Sequence, residues 1–196
     1  MQESNRVYHT KESLRHALVA LLEVQEVGHI KAVDVYMAAR VSKATFYRYY
    51  HDVYDLLVEC FEVYLDVQDE VRLSIESANL PSMSYELTLM GVRKIKQNPR
   101  LYLSCIQCTY APFIKDFTER STSLSQRSTR VLMDARGVTE ATCAIDVDRL
   151  ASLCIALSTD ICVAWALGGC VESPEDIARL QVTCLTRFID AMRIDE

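Results

Sequence analysis

Ser42, Lys43, Thr45, Tyr47, Arg48 and Tyr49 crowd into one short run, SKATFYRYYHD, from Ser42 to Asp52. Their hydroxyls, ammonium and guanidinium are donors suited to phosphate oxygens and to the edges of bases. Four rings, Phe46, Tyr47, Tyr49 and Tyr50, share the run with the two cations. A buried core helix would not carry Lys43 and Arg48, and a solvated helix would not need so many aromatics. The stretch is built to lie against something large, flat and negatively charged. Phe46 is expected to turn back into the core, while Tyr47 and Tyr49 can donate their hydroxyls to phosphate. Lys31 and Arg40, just upstream, add two further cations.

Other chemistries find little support. His9, His16, His29 and His51 are scattered, no HExxH occurs, and no Cys/His set has zinc spacing, so no metal site is expected. No GxSxG, Walker loop or dinucleotide fingerprint is present; the expectation is no enzyme and no cofactor. The eight cysteines lie mostly inside apolar helical patterns and read as reduced and buried. Cys105 and Cys108 form a CxxC within such a pattern, read as a buried pair, with a thiol sensor as the alternative.

The elements that would hold the run are helical. Only 5 Gly and 4 Pro interrupt 196 residues, which favours long helices and short connections. Thr10 is read as the cap of a first helix whose apolar residues, Leu14, Ala17, Leu18, Leu21 and Leu22, recur at helical spacing, with Gly28 as its stop. A short helix with Val33, Val35 and Met37 follows, then a tight turn at Arg40-Val41. Ser42 caps the next helix and Asp52 a fourth, whose Asp55, Glu59, Glu62 and Asp66 keep one side wet. Residues 77–84 are the linker candidate. Further helices are expected near 84–97, 99–110, 111–135, 139–168 and 174–193, the last capped by Ser173 with Pro174 at its first position. Gly137 is a plausible stop. The fold class is all-α.

Residues 1–50 carry 7 Lys and Arg against 5 Asp and Glu, a net of +2, on a chain whose total is −6. A basic head on an acidic body suits a protein in which one end meets a polyanion. No signal peptide is read at the N-terminus, so a cytoplasmic protein is expected. The most apolar stretch, Leu150 to Gly169, is nearly long enough to cross a bilayer, but Asp160 at its middle would cost roughly 2.5–3.5 kcal/mol there. A helix buried by protein, and no membrane partner, is the expectation.

Two short helices joined by a tight turn and braced by a longer one make a helix-turn-helix, whose second helix enters the major groove. The segment KAVDVYMAARVSKATFYRYYHDVYDLL resembles the DNA-binding signature of the TetR/AcrR family of transcriptional regulators, most strongly over AARVSKATFYRYY. The likeness spans about Thr10 to Tyr64; beyond it the chain is similar only in being helical and of the expected length. The resemblance implies a DNA-binding domain over 1–52 and a helical effector-binding and dimerisation domain over 53–196. It implies a homodimer, a double-stranded DNA operator and a small-molecule effector of unknown identity. The family positions that touch DNA fall on Ser42, Lys43, Thr45, Tyr47 and Tyr49. Three positions depart from the pattern. Arg40 stands where the turn usually has Gly, Lys31 where a capping Thr is common, and Val53 where a phosphate-contacting Lys is frequent.

Candidate effector contacts are Tyr85, Tyr102, Cys105, Tyr110, Phe113, Phe117, Asp160 and Trp165. Aromatics at helical spacing are more often core than pocket, and Asp160 could equally be paired at a dimer interface. The candidate interface is Leu153, Leu157 and Ile161 with Leu180, Cys184 and Phe188, apolar stripes on the last two helices. A purely intramolecular helical hairpin is the alternative. The rival functional reading is a regulator-like protein without operator binding that acts through a protein partner, favoured by Val53 and the modest head charge.

Overall fold

The computed structural model describes residues 2–66 and 80–194. Among these the chain forms α1 (Gln2–Leu22), α2 (Ala32–Ala38), α3 (Lys43–Tyr49), α4 (Val53–Tyr64), α5 (Leu80–Gln97), α6 (Pro99–Ile106), α7 (Ala111–Ala135), α8 (Val147–Leu167) and α9 (Pro174–Ala191). An isolated bridge, Cys143 to Arg193, is the one extended pairing among the described residues. The chain divides into two compact units, one of Met1–Leu65 with Asn98–Ile114, the other of Asp66–Gln97 with Lys115–Glu196.

In the first unit α1 packs on α2, α4 and α6, and α2 on α3. The apolar stripe of α1, Leu14, Leu18 and Leu22, is buried, as are Val35, Phe46, Leu56, Leu57 and Leu101. This is the inward face that helical periodicity requires of a surface helix. A charged staple accompanies the core. Glu59 of α4 accepts from Lys11 Nζ at 2.7 Å through one oxygen and from Arg15 Nη1 at 2.5 Å through the other. Glu59 therefore does not belong to a wet face of α4. It is a partner of α1, while Asp55 and Glu62 are exposed, Asp55 accepting from the His51 N–H at 2.7 Å.

In the second unit α9 packs on α5 and α8, and α5 on α8. Leu132, Met133, Val138, Val147, Leu150 and Ile189 centre its core, with Phe188 and Met192 against them. Ion pairs tie its helices at the rim: Arg136 grips Asp190 through two hydrogen bonds of 2.8 and 2.7 Å, and Arg93 reaches Glu175 at 2.7 Å.

Several boundaries differ from expectation. α1 begins at Gln2, and Thr10 lies inside it, its hydroxyl donating to the Arg6 carbonyl at 2.8 Å instead of capping. A threonine can do either, and back-bonding to the residue four before wins when the preceding turn is already helical. The helix ends at Leu22, and Gly28 sits within a 3-10 turn, Val27–His29. Leu80 to Ser84 are helical instead of linker, while 77–79 lie outside the described residues. α6 stops at Ile106. Residues 139–146 form a 3-10 turn and the bridge, and α8 starts only at Val147, with Asp146 as its cap accepting from the Arg149 N–H at 2.8 Å. α8 is long and apolar enough to cross a membrane by composition, yet only 33% of that window is buried within the chain. Its expected enclosure by protein holds on one side only.

Candidate nucleic-acid interface

The run from Ser42 to Asp52 is held by local chemistry. Ser42 has the extended backbone of an N-cap, and its Oγ accepts from the Thr45 N–H at 3.0 Å. The Ser42 and Thr45 hydroxyls also touch at 2.8 Å. A shared hydroxyl pair keeps one O–H directed outward whenever the other donates inward. At the far end Asp52 caps α4, accepting from the Tyr54 and Asp55 N–H groups at 2.8 and 3.0 Å.

The turn before α3 closes α2 with a six-to-one and a five-to-two hydrogen bond. The Val41 N–H donates to the Tyr36 carbonyl at 2.9 Å and the Arg40 N–H to the Met37 carbonyl at 3.1 Å. This is the Schellman arrangement, whose penultimate residue sits in the left-handed region. Arg40 has φ +55°. The ends of α7 and α8 use the same pair of bonds, with Gly137 at φ +62° and Gly169 at φ +81° in the equivalent place. A side chain there costs about 1 kcal/mol or more. The turn expected at Arg40-Val41 is present, and Arg40 occupies it under strain.

α3 has two faces. Phe46 and Tyr50 point inward and are buried, Phe46 completely. Tyr50 lies beneath the Lys11 ammonium at 5.4 Å from its ring centre. Burial pushes the Tyr50 hydroxyl far above its ordinary range, and the nearby Glu59 charge adds to this. The outward face presents Ser42, Lys43, Tyr47 and Arg48, all exposed, with Thr45 and Tyr49 half-buried beside them. Tyr47 is 51% exposed, although its ring is braced edge-on against Phe46 at 5.2 Å. Lys43 Nζ stands 6.0 Å from the Tyr47 ring centre. A rigid phenol and a cation thus share one surface. Lys31 is exposed at the start of α2, and its backbone N–H donates to Asp34 at 2.8 Å. Asp34 provides half of the cap that a threonine would have completed. Val53 is buried, so the first turn of α4 offers no cation. All eight expected DNA-binding residues, Lys31, Arg40, Ser42, Lys43, Thr45, Tyr47, Arg48 and Tyr49, lie at the surface of one unit, fully or partly exposed.

The effector candidates divide between the units. Tyr102, Cys105, Tyr110 and Phe113 belong to the first, where Cys105 and Phe113 are core and Tyr110 stacks on Tyr54 at 4.6 Å. Tyr85, Phe117, Asp160 and Trp165 belong to the second. There Trp165 is buried with its Nε1 lacking a hydrogen-bond partner, and Asp160 is exposed. Of the interface candidates, Leu153 and Leu180 are 44% and 47% exposed, and Leu157, Ile161, Cys184 and Phe188 are half-buried. All eight cysteines are free, and Cys184 alone escapes full burial. Burial pushes the Cys60 thiol up to about 12 and raises those of Cys105, Cys108, Cys154 and Cys170. No group of metal-ligating side chains occurs among the described residues. The staple of Lys11, Arg15 and Glu59 escaped sequence reasoning because its members are 44 and 48 residues apart.

No protein-family model matches the chain, and no curated protein matches its sequence. Solved structures do. A TetR-family transcriptional regulator from Syntrophomonas wolfei superposes with a TM-score of 0.73 over 95% of this chain and 98% of its own, at 16% identity. The fatty acid degradation regulator FadR of Bacillus halodurans gives 0.75 over 90% and 94%, at 14% identity. The FadR repressor of Thermus thermophilus, solved with lauroyl-CoA, gives 0.63 over 95% and 96%, at 16% identity. At these identities the likeness establishes the fold: the chain has the all-helical architecture of TetR-family regulators.

Proposed function

We propose that the chain is a DNA-binding transcriptional regulator, a repressor whose operator affinity is set by a small-molecule effector. One observation carries the reading. On α3, Phe46 and Tyr50 anchor the helix from within, while Lys43, Tyr47 and Arg48 face solvent beside the capping hydroxyl of Ser42. Such a division of faces suits a helix seated in a major groove, with its N-terminal residues at base edges and its phenol and cations on phosphates. Residues 1–52 carry the DNA contacts, and residues 53–196 serve effector binding and dimerisation. The regulator works in the cytoplasm.

The dimer forms through the solvent side of α8 and α9. Leu153 and Leu180 stand out there, and only a third of the apolar window of α8 is buried by its own chain. A second copy would cover that surface at little cost to charge, since Asp160 is the one acidic side chain inside the window. The effector enters the helical body, where Tyr85, Phe117 and Trp165 offer aromatic walls and Trp165 an unpaired donor. Lauroyl-CoA, held by the Thermus protein, is the first compound to try.

A mobility-shift assay on the DNA flanking its own gene tests the proposal. Saturable binding is expected, weakened about tenfold by Lys43→Ala and several-fold by Tyr47→Phe, as loss of one charged and one neutral hydrogen bond dictates. A stable dimer that binds no fragment at low salt would overturn it and favour the rival, action through a protein partner. The buried Val53 is the feature that points that way.

A further inference from the structure

The first unit has an open groove of about 540 Å³ between the N-terminal half of α1 and the α2–α3 turn. Asn5, Arg6, His9 and Thr10 form one wall, and Arg40 stands on the other. Two hydroxyls along the helix wall are engaged with their own backbone: Thr10 donates to the Arg6 carbonyl at 2.8 Å and Ser13 to the His9 carbonyl at 2.9 Å. The donors left to face a guest are therefore the Arg6 and Arg40 guanidinium groups, the Asn5 amide and the His9 ring. Glu12, 3.6 Å from His9 Nδ1, is the acidic group beside them. Among the described residues no ion pair holds either Arg6 or Arg40.

Two further facts give the groove direction. Arg40 is one residue removed from Ser42, so the groove adjoins the N-terminal end of the recognition helix along the chain. Arg40 also holds a left-handed position that glycine fills at Gly137 and Gly169, the matching helix ends of this protein. A strained residue kept where a glycine would relax points to a task for its side chain.

We infer that this groove seats a backbone phosphate of the DNA duplex, with Arg6 and Arg40 as a two-armed clamp contributed by α1 and the turn. The inference rests on the DNA-binding reading above and extends it to a helix outside the helix-turn-helix. The guest is a phosphodiester: a tetrahedral anion matched by planar guanidinium forks, with Asn5 and His9 as further donors. The groove is open and exposed, which suits a long polymer crossing it more than a small ligand that must be enclosed.

The test uses the full chain and an operator fragment, read by fluorescence anisotropy between about 50 and 200 mM salt. Each lost phosphate contact should flatten the log–log salt slope by about 0.9 and weaken binding about eightfold near 0.1 M. Arg6→Ala and Arg40→Gly should each do so. Arg40→Gly should also leave the melting temperature unchanged or raise it, since it removes backbone strain, and that separates lost contact from lost fold. If both variants keep the parent's affinity and slope while Lys43→Ala still weakens binding, the clamp is refuted and the recognition helix stands. If Lys43→Ala is also without effect, or the parent binds no DNA, the regulator reading falls as well. Inorganic phosphate, titrated at constant ionic strength while the His9 ring resonances are followed, distinguishes the other source of the same chemistry. Saturation only in the millimolar range or above fits a backbone contact, and tight saturable binding abolished by Arg6→Ala would reassign the groove to a small phosphorylated ligand.

Discussion

Replacing Glu59 by alanine should unfasten α1 from α4 in the first unit. The carboxylate is the shared counter-ion of two cations on α1, and each of its oxygens serves a different one. Arg15 keeps only 8% of its side-chain exposure and Glu59 18%, so water screens the pair poorly. Removing one partner of a buried pair leaves the other charge uncompensated, at a cost of about 3–5 kcal/mol. Lys11 is 33% exposed and recovers solvation when its partner goes, which favours the lower end, about 3 kcal/mol. For a chain of this length that is a fall of roughly 6–12 °C in melting temperature. Urea unfolding followed by far-UV circular dichroism measures it. The mechanism also predicts rescue. Arg15→Met in the Glu59→Ala background removes the stranded charge, so the double variant should be less damaged than the two singles added together. The pH dependence has a definite sign. Burial alone would raise the Glu59 carboxyl, but hydrogen bonds from Lys11 and Arg15 outweigh it and hold it below the ordinary carboxylate range. A carboxyl depressed by folding stabilises above its unfolded pKa, about 4.3, and loses that contribution as pH falls through the folded value. The gap between parent and Glu59→Gln should therefore be full at pH 7 and close in acid. A loss under about 1 kcal/mol for Glu59→Ala, or a gap that does not depend on pH, would refute the staple.

Thiol labelling of the native protein should modify Cys184 first, with the seven buried cysteines reacting only on unfolding; mass spectrometry of the labelled peptides reads the order. Alkaline conditions short of denaturation should not hasten Cys60, whose thiol burial pushes up to about 12. Leu153→Glu with Leu180→Glu should convert the proposed dimer to a folded monomer by light scattering and lower operator affinity by more than tenfold, because two linked heads bind with an effective concentration that one head lacks.

What could be read from the sequence was what local chemistry decides. Ser42, Asp52 and Ser173 are caps because a short oxygen-bearing side chain next to a helix start reaches free N–H groups whatever lies elsewhere. Phe46 turned inward because a helix with cations on one side has one place for an apolar ring. The start of α1 was missed because residues 2–9, rich in polar side chains, show no apolar period, and Thr10 suits a cap as well as a helix interior. Glu59 was misplaced because its charge suggested water, while its partners sit on a helix far away in the chain. The late start of α8 was hidden by apolar residues such as Val138 and Cys143, which are core without being helical. The effector candidates were chosen by residue type, and type does not separate a ring in a core from a ring on a cavity wall. Cys105 and Phe113 are in the core of the first unit, and Trp165 is the candidate that keeps an unpaired polar atom.

Two of the three departures from the pattern, Arg40 where the turn usually has Gly and Val53 where a Lys is frequent, make one account when taken together. Val53 gives up a surface cation and gains burial at the start of α4, beside Leu56 and Leu57. A valine side chain taken fully from water contributes about 1.5 kcal/mol or more. Arg40 supplies a cation at the turn and loses about 1 kcal/mol to its left-handed backbone. Across these two positions the exchange is close to neutral for folding and moves one cation from α4 to the opposite end of α3, and Lys31, exposed at the start of α2, adds a further one. The body faces a looser demand, since an apolar stripe tolerates volume-conserving substitution at most positions. That difference explains how the chain can keep the architecture of the FadR structures at 14–16% identity while the resemblance in sequence is confined to the segment around α2 and α3.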